Sequence, residues 1–238
     1  LIEMGVKTIR ITDEMFLLNR KYYMPILDIL AELNRNDDIR LWVYSRIDTV
    51  PSPETLVLVR KAGIRWICLG IESGDKRIRL EVAKGKFEEV DVKKVVAQVE
   101  AAGINVMANY IYGLPGDTPK TIEKTYNLSV ELNTLGWNTY AAMALPGSPL
   151  YAQAKRDGKR VPELYEEFSF HSYDTLPLST DEMAAHEILK LRDQKFTAYF
   201  ARQKFLDKIA GAFGKSAVSN ILEMNKKTLK RKIFDETH

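Results

Sequence analysis

The chain has 238 residues, 45% hydrophobic and 28% charged, an ordinary globular composition at a length for one large domain or one and a half. A formal net charge of +3 is too near neutral to argue for nucleic acid or a membrane surface, no apolar run reaches the roughly 18 residues of a membrane span, and no signal-peptide pattern opens the chain. The single cysteine, Cys68, excludes an internal disulfide framework and fits a reduced, cytoplasmic setting.

Leu1-Ile2-Glu3-Met4-Gly5 reads as the last turn of a helix, so the expectation is that the numbering starts inside a larger protein. A strand follows, Val6-Lys7-Thr8-Ile9-Arg10-Ile11, ending in Thr12-Asp13-Glu14. Tyr23, Ile26, Leu27, Leu30 and Leu33 keep helical spacing. The polar turn Asn34-Arg35-Asn36-Asp37-Asp38 leads into the strand Arg40-Leu41-Trp42-Val43-Tyr44, which ends in Ser45-Arg46. Gly63 precedes the strand Ile64-Arg65-Trp66-Ile67-Cys68-Leu69, ending in Glu72-Ser73-Gly74. A helix carries Val92, Val95, Val96 and Val99; Gly103 then introduces the strand Ile104-Asn105-Val106-Met107, which continues through Asn109 to Tyr112-Gly113-Leu114-Pro115-Gly116-Asp117. Thr118-Pro119 is an N-cap and N1 pair for the next helix. Gly136 precedes a fifth strand, Trp137-Asn138-Thr139-Tyr140. At Gly5, Gly63, Gly103 and Gly136 the expectation is the same, a left-handed glycine closing a helix before a strand. Beyond about residue 150 the strand signals stop, and Asp181–Phe200 and Ser216–Lys232 read as helices.

Strands alternating with helices imply a parallel sheet, because each return to the same end needs a crossover. The lengths suit a (β/α) barrel or part of one. A doubly wound open sheet is the alternative, although no Gly-x-Gly-x-x-Gly turn is present. The expected organisation is a barrel over residues 1–155 and an α-helical C-terminal extension over 156–238.

In parallel α/β folds chemistry sits at the C-terminal ends of the strands. Four of these strands end in polar or charged residues there. Singly, a carboxylate such as Asp13 or Glu72 reads equally well as the cap of the next helix. Together, the four ends suit the amine, hydroxyl and ring-nitrogen groups of one polar ligand. Other chemistry is not supported: there is no P-loop, no Cys-x-x-Cys and no nucleophile elbow, and His171, His186 and His238 are not spaced for zinc. Cys68, mid-strand among apolar residues, reads as buried and inert. The basic run Lys226, Lys227, Lys230, Arg231, Lys232 reads as a solvated helix face rather than an RNA site. Phe170-His171-Ser172-Tyr173 reads as a packed loop, with a polar-aromatic segment reaching the barrel mouth as the alternative.

Gly70-Ile71-Glu72-Ser73-Gly74, followed by Lys84-Gly85, resembles the fourth barrel strand and loop of radical S-adenosylmethionine (SAM) enzymes. Ile111-Tyr112-Gly113-Leu114-Pro115-Gly116-Asp117-Thr118 is similar to their strand-five motif, Ser45-Arg46-Ile47-Asp48 to their strand-three end, and Leu145-Pro146-Gly147-Ser148-Pro149-Leu150-Tyr151 to the turn after strand six. The tail, with Pro177-Leu178-Ser179-Thr180, Leu191-Arg192-Asp193 and Phe213-Gly214, resembles members that carry a cobalamin-binding domain.

The resemblance implies a partial (β/α)6 TIM-like barrel of which this chain supplies strands two to six. It also implies a Cys-x-x-x-Cys-x-x-Cys segment upstream of Leu1 holding a 4Fe-4S cluster, SAM as cofactor, and cobalamin in an N-terminal domain. The implied partners are a small-molecule or lipid substrate and an electron donor such as flavodoxin or ferredoxin, with no nucleic acid. The implied reaction is methyl transfer or rearrangement by radical chemistry. A tRNA-modifying member, or a non-catalytic barrel fragment acting as a binding unit, are the alternatives. Carried over residue by residue, Glu14 takes the place of a glutamate that accepts from the methionine amine of SAM, with Asp13 as the alternative because the usual Gly-Gly-Glu is Thr12-Asp13-Glu14 here. Ser45 or Arg46 meets the ribose or carboxylate; Glu72 and Asn109 meet the ribose; Lys84 meets the carboxylate. Gly113 gives close approach to the adenine, with the backbone of Ala142 or Met143 beside it.

Overall fold

The computed structural model describes residues 1–83 and 90–235. Its strands are β1 (Thr8–Arg10), β2 (Arg40–Arg46), β3 (Ile64–Glu72), β4 (Asn105–Tyr112) and β5 (Gly136–Ala141). The helices are α1 (Arg20–Leu33), α2 (Pro53–Lys61), α3 (Lys76–Ala83), α4 (Val92–Ala101), α5 (Pro119–Leu132), α6 (Pro149–Arg156), α7 (Tyr165–Phe168), α8 (Ala185–Phe200), α9 (Gln203–Phe213), α10 (Lys215–Asn225) and α11 (Lys232–Asp235). The strands form one sheet in the order β1-β2-β3-β4-β5, with β1–β2 and β2–β3 paired in parallel. All five expected strands are there. None of the described helices is long and apolar enough to cross a membrane.

Two compact units divide the chain. The first holds Leu1–Ile71, Lys84–Asn109 and Thr134–Asn138; the second holds Glu72–Ala83, Tyr110–Asn133 and Thr139–His238.

In the first unit, strand alternation decides what is buried. Leu41 and Val43 of β2 and Val106 and Ala108 of β4 are fully buried, together with Leu27 of α1, Val59 of α2 and Val99 of α4. Each of the Leu and Val side chains contributes about 1.5–3 kcal/mol by leaving water, and Ala108 less. The alternate positions Trp42, Tyr44, Arg46, Met107 and Asn109 are half-buried and make up the other face. In the second unit, Tyr112, Ile122, Met183, Ile188 and Leu189 form a core against which Phe170, Ile233 and Phe234 pack.

The glycine expectation holds at Gly63 and Gly103; at Gly5 the glycine is left-handed but closes a turn rather than a helix, and at Gly136 the expectation fails. Gly5, Gly63 and Gly103 have φ of 83°, 95° and 73°. At Gly103 the helix-ending bonds are complete, Gly103 N donating to Glu100 O and Ile104 N to Val99 O, and the turn at Gly5 has the same pair, Gly5 N to Ile2 O and Val6 N to Leu1 O. At the end of α5, however, the left-handed residue is Asn133, with φ of 45°. Gly136 is already in β5, where a Cβ would lie 2.6 Å from Met107 Sδ and 3.0 Å from Met107 Cα. Close packing against β4, not a turn, calls for glycine there.

The tail also departs from expectation. Asp181–Met183 form a turn closed by the Thr180 hydroxyl, which accepts from Glu182 N (3.3 Å) and Met183 N (3.0 Å), so α8 starts only at Ala185. The basic run is not a helix face. α10 ends at Asn225, and Arg231 is 2% exposed, donating to Phe170 O at 2.7 Å and pairing with Asp193 at 3.2 Å. A guanidinium that must be buried with its partners cannot also sit on a solvated helix.

Candidate functional site

Within the first unit, register assembles the half-exposed face in rows. Arg10 of β1 pairs with Trp42 of β2, and Trp42 with Trp66 of β3. The two indoles stack at 5.4 Å with planes 15° apart. The next row begins with Tyr44 opposite Cys68. The Arg10 guanidinium lies 4.9 Å over the Tyr44 ring and also donates to its hydroxyl. Asn109 continues the row: its Nδ2 donates to Cys68 Sγ (3.0 Å), Met107 O (3.2 Å) and Leu69 O (3.3 Å), while its Oδ1 accepts from Asn138 Nδ2 (3.2 Å). Cys68 is buried, and burial pushes its thiol up from the ordinary value, which keeps it protonated.

The other residues singled out in this unit sit in the loop that leaves β1 and in the last two positions of β2. Asp13 is half-buried and accepts from Met15 N at 3.0 Å, a tight turn of the kind aspartate builds; Glu14 is exposed. Ser45 is buried, its hydroxyl 2.8 Å from Thr49 Oγ1. Arg46 is held in a fork by Asp48, Nε to Oδ1 at 2.9 Å and Nη2 to Oδ2 at 2.7 Å. Asn138, Arg10, Trp42 and Trp66 were not singled out from sequence. Their signal was present in the period-two alternation, which puts Trp42, Tyr44 and Arg46 on one face and Trp66, Cys68 and Gly70 on the matching one.

Within the second unit, both strand-end motifs are built onto α5. Ser73 Oγ lies 3.1 Å from Thr125 Oγ1, and Gly74 N donates to that oxygen at 2.9 Å. Asp75 pairs with Lys124 at 2.7 Å. In the later motif, Asp117 Oδ2 accepts from Gly113 N and Leu114 N, each at 3.0 Å, and its Oδ1 accepts from Thr121 Oγ1 at 2.7 Å. Burial nevertheless raises the Asp117 carboxyl above the ordinary range, because desolvation outweighs those donors. Ser73 and Asp117 thus shape their own loops. Glu72 is half-buried, with φ of 65°, a conformation uncommon for any residue but glycine. Gly113 has φ of 81°, and the space a Cβ would take belongs to Ile188 of α8, 2.8 Å away. Met143 is half-buried and follows Ala142, whose N donates to Tyr112 O (2.7 Å) and whose O accepts from Leu178 N (2.8 Å). Lys84 lies outside the described residues.

Parallel strands joined by helices, with polar residues gathered at their C-terminal ends, define an α/β protein of the barrel kind. A family model described as the Radical SAM superfamily matches residues 1–129, more than half of the chain, and the chain belongs to that superfamily. Over 171 residues it is 28% identical to the hopanoid C-2 methylase of Rhodopseudomonas palustris, covering 68% of this chain and 31% of the methylase. The radical SAM methyltransferase TsrM of Kitasatospora setae, with cobalamin and a 4Fe-4S cluster bound, matches at TM-score 0.57 and 20% identity over 65% of this chain and 31% of that one. The cobalamin-dependent SAM radical enzyme OxsB, with aqua-cobalamin and SAM bound, matches at TM-score 0.54 and 16% identity over 92% of this chain and 38% of that one. At these identities the structural likeness shows the fold, a partial (β/α) TIM-like barrel. The chain spans about a third of the length of these relatives.

Radical SAM proteins use SAM and a 4Fe-4S cluster, and TsrM and OxsB are seen with cobalamin. The cluster does not fit the residues of this chain. It takes cysteine thiolates, whereas the one cysteine here is buried with a raised thiol, and no trio of His, Cys, Asp or Glu among the described residues is placed to hold a metal. The donor chemistry does fit SAM. Carboxylates and carboxamides suit its ammonium and ribose hydroxyls, and a guanidinium suits its carboxylate.

Proposed function

We propose that the chain is the SAM-holding portion of a radical SAM enzyme that carries out methyl transfer or rearrangement on a small-molecule or lipid substrate. The family match over residues 1–129, which takes in the Glu72-Ser73-Gly74 and Gly113–Asp117 segments, carries this reading. The likeness to a hopanoid methylase favours methyl transfer to an apolar substrate, and the fold shared with TsrM and OxsB favours cobalamin as a further cofactor held outside this chain. Cluster and SAM together supply the radical chemistry when bound; the residues here hold and aim the cofactor.

The proposed roles follow the chemistry of each group. In the first unit, Asp13 or Glu14 accepts from the amine of SAM, Arg46 meets its carboxylate, and Ser45 and Asn109 meet the ribose. Asn109 is fixed for this by Asn138 and the Cys68 row. In the second unit, Glu72 accepts from ribose hydroxyls, and the backbone at Gly113, Ala142 and Met143 takes the adenine. Lys84 meets the carboxylate of SAM. An electron donor such as flavodoxin or ferredoxin reduces the cluster, and the setting is cytoplasmic.

The test uses the protein with its native upstream segment, reconstituted anaerobically. With reductant and SAM it is expected to form 5′-deoxyadenosine or a methylated product, and Glu72→Ala is expected to weaken SAM binding by about tenfold or more, measured by calorimetry. Neither product under those conditions would sink the catalytic reading, and unchanged affinity would remove Glu72 from the site.

A further inference from the structure

Within the second unit, α8 and the Met224–Leu229 segment bound a cavity of about 240 Å3 that none of the SAM roles uses. Phe196, Met224 and Leu229 give it apolar walls, and Arg192, Asp193, His171 and Lys227 give it polar ones. The charges beside it do not balance. Two guanidiniums, Arg192 and Arg231, share one carboxylate: Arg192 Nη1 reaches Asp193 Oδ1 at 2.9 Å, and Arg231 Nε reaches Asp193 Oδ2 at 3.2 Å. Arg231 Nη2 adds a second bond to that carboxylate, to Oδ1 at 3.3 Å, while Arg192 Nε goes to Thr139 O at 2.9 Å and Arg231 Nη1 to Phe170 O at 2.7 Å, both uncharged. Both cations also face the Phe170 ring, at 4.2 and 5.5 Å. Carbonyls and a ring satisfy geometry but do not neutralise charge. Arg192 and Arg231 are more than nine-tenths buried and, among the described residues, share one hydrogen-bonded carboxylate, so a net positive charge is held largely out of water. Arg192 Nη2 makes no hydrogen bond among the described residues, and Lys227 adds a further cation at the cavity wall.

We propose that this cavity binds a small organic anion, with its apolar body against Phe196, Met224 and Leu229 and its carboxylate against Arg192 and Lys227. The anion offsets the buried excess charge, and the apolar walls select against a bare inorganic ion. Because one wall is the segment anchored through Arg231, the ligand also ties that segment to α8.

Hydrocinnamate and its uncharged amide are the probes, titrated into the chain carrying isotope-labelled methionine methyls. The Met224 methyl is expected to shift saturably with hydrocinnamate and to need about tenfold more amide for the same shift. Lys227→Ala, at an exposed position, is expected to narrow that preference about threefold or more. Leu229→Trp is expected to fill the cavity and abolish the Met224 response. Equal affinity for acid and amide, no Met224 shift at about 10 mM ligand, or an undiminished response in Leu229→Trp would each overturn the proposal.

Discussion

Glu72 and Gly74 stand two residues apart with opposite demands on the backbone. Glu72 adopts the left-handed conformation at a cost of about 1–2 kcal/mol, which a local rule would have given to glycine. Gly74 is glycine for another reason: a Cβ there would lie 2.5 Å from Lys124 O and 2.7 Å from Thr125 Cα, both backbone of α5. Gly74→Ala is therefore expected to destabilise the protein by about 3 kcal/mol, read from the urea midpoint. The neighbouring carboxyls titrate in opposite senses. Burial alone would raise Asp75, but Lys124 and the amides of Ile78 and Arg77 outweigh it and hold Asp75 below its ordinary 3.8. Its contribution is present above pH 3.8 and is lost as pH falls through the lower folded value. Asp117, raised by burial, contributes in the other direction: its share is present below 3.8 and is lost as pH rises through the higher folded value. Asp75→Asn is expected to flatten the acid limb of stability against pH while leaving the slope above 3.8 in place; an unaltered acid limb would remove Asp75 from it.

At the scale of elements, α5 is the frame for both strand-end motifs of the second unit. Its first turn is closed by the Thr118 and Thr121 pair, and Pro119 stands at N1. That much was legible in Thr118-Pro119. Its end was not. Asn133 is left-handed, and its Oδ1 accepts from Arg202 at 3.0 Å, a partner 69 residues away that no local pattern names. Asn133→Ala is expected to cost about 1–2 kcal/mol by strain alone, and Asn133→Gly less, because glycine keeps the turn while losing only the side-chain bonds to Arg202 and Lys204 O. Thermal denaturation of the two variants separates the terms; equal losses would mean that the backbone conformation contributes little. The C-terminal segment shows the same limit of local reading. Lys226–Lys232 has the composition of a solvated helix face, yet the chain leaves the helix after α10 so that Arg231 can reach Asp193, 38 residues away.

For the molecule as a whole, the ligands in this chain divide the cofactors. On the proposed reading, carboxylates, carboxamides and a guanidinium of this chain are matched to SAM, whereas the cluster finds one buried cysteine. Reconstituted alone with iron and sulfide, the chain is expected to show no cluster absorbance, and joined to a segment bearing three cysteines it is expected to show it; a cluster on the isolated chain would refute this division.

The sequence by itself determined the five strands, their helical connections, the polar strand ends and the superfamily, because alternation, caps and short motifs are properties of neighbouring residues. Only the tertiary structure decided which polar groups were available. Ser73 and Asp117 are spent on their own loops and Arg231 is buried rather than solvated, while Asn109 is set in its orientation by Cys68 and Asn138. Apart from the local bonds of Asp117, those assignments depend on hydrogen-bond partners 29 to 61 residues away. Parallel pairing and helix packing choose such partners, because a buried donor or acceptor must find one wherever the fold brings it.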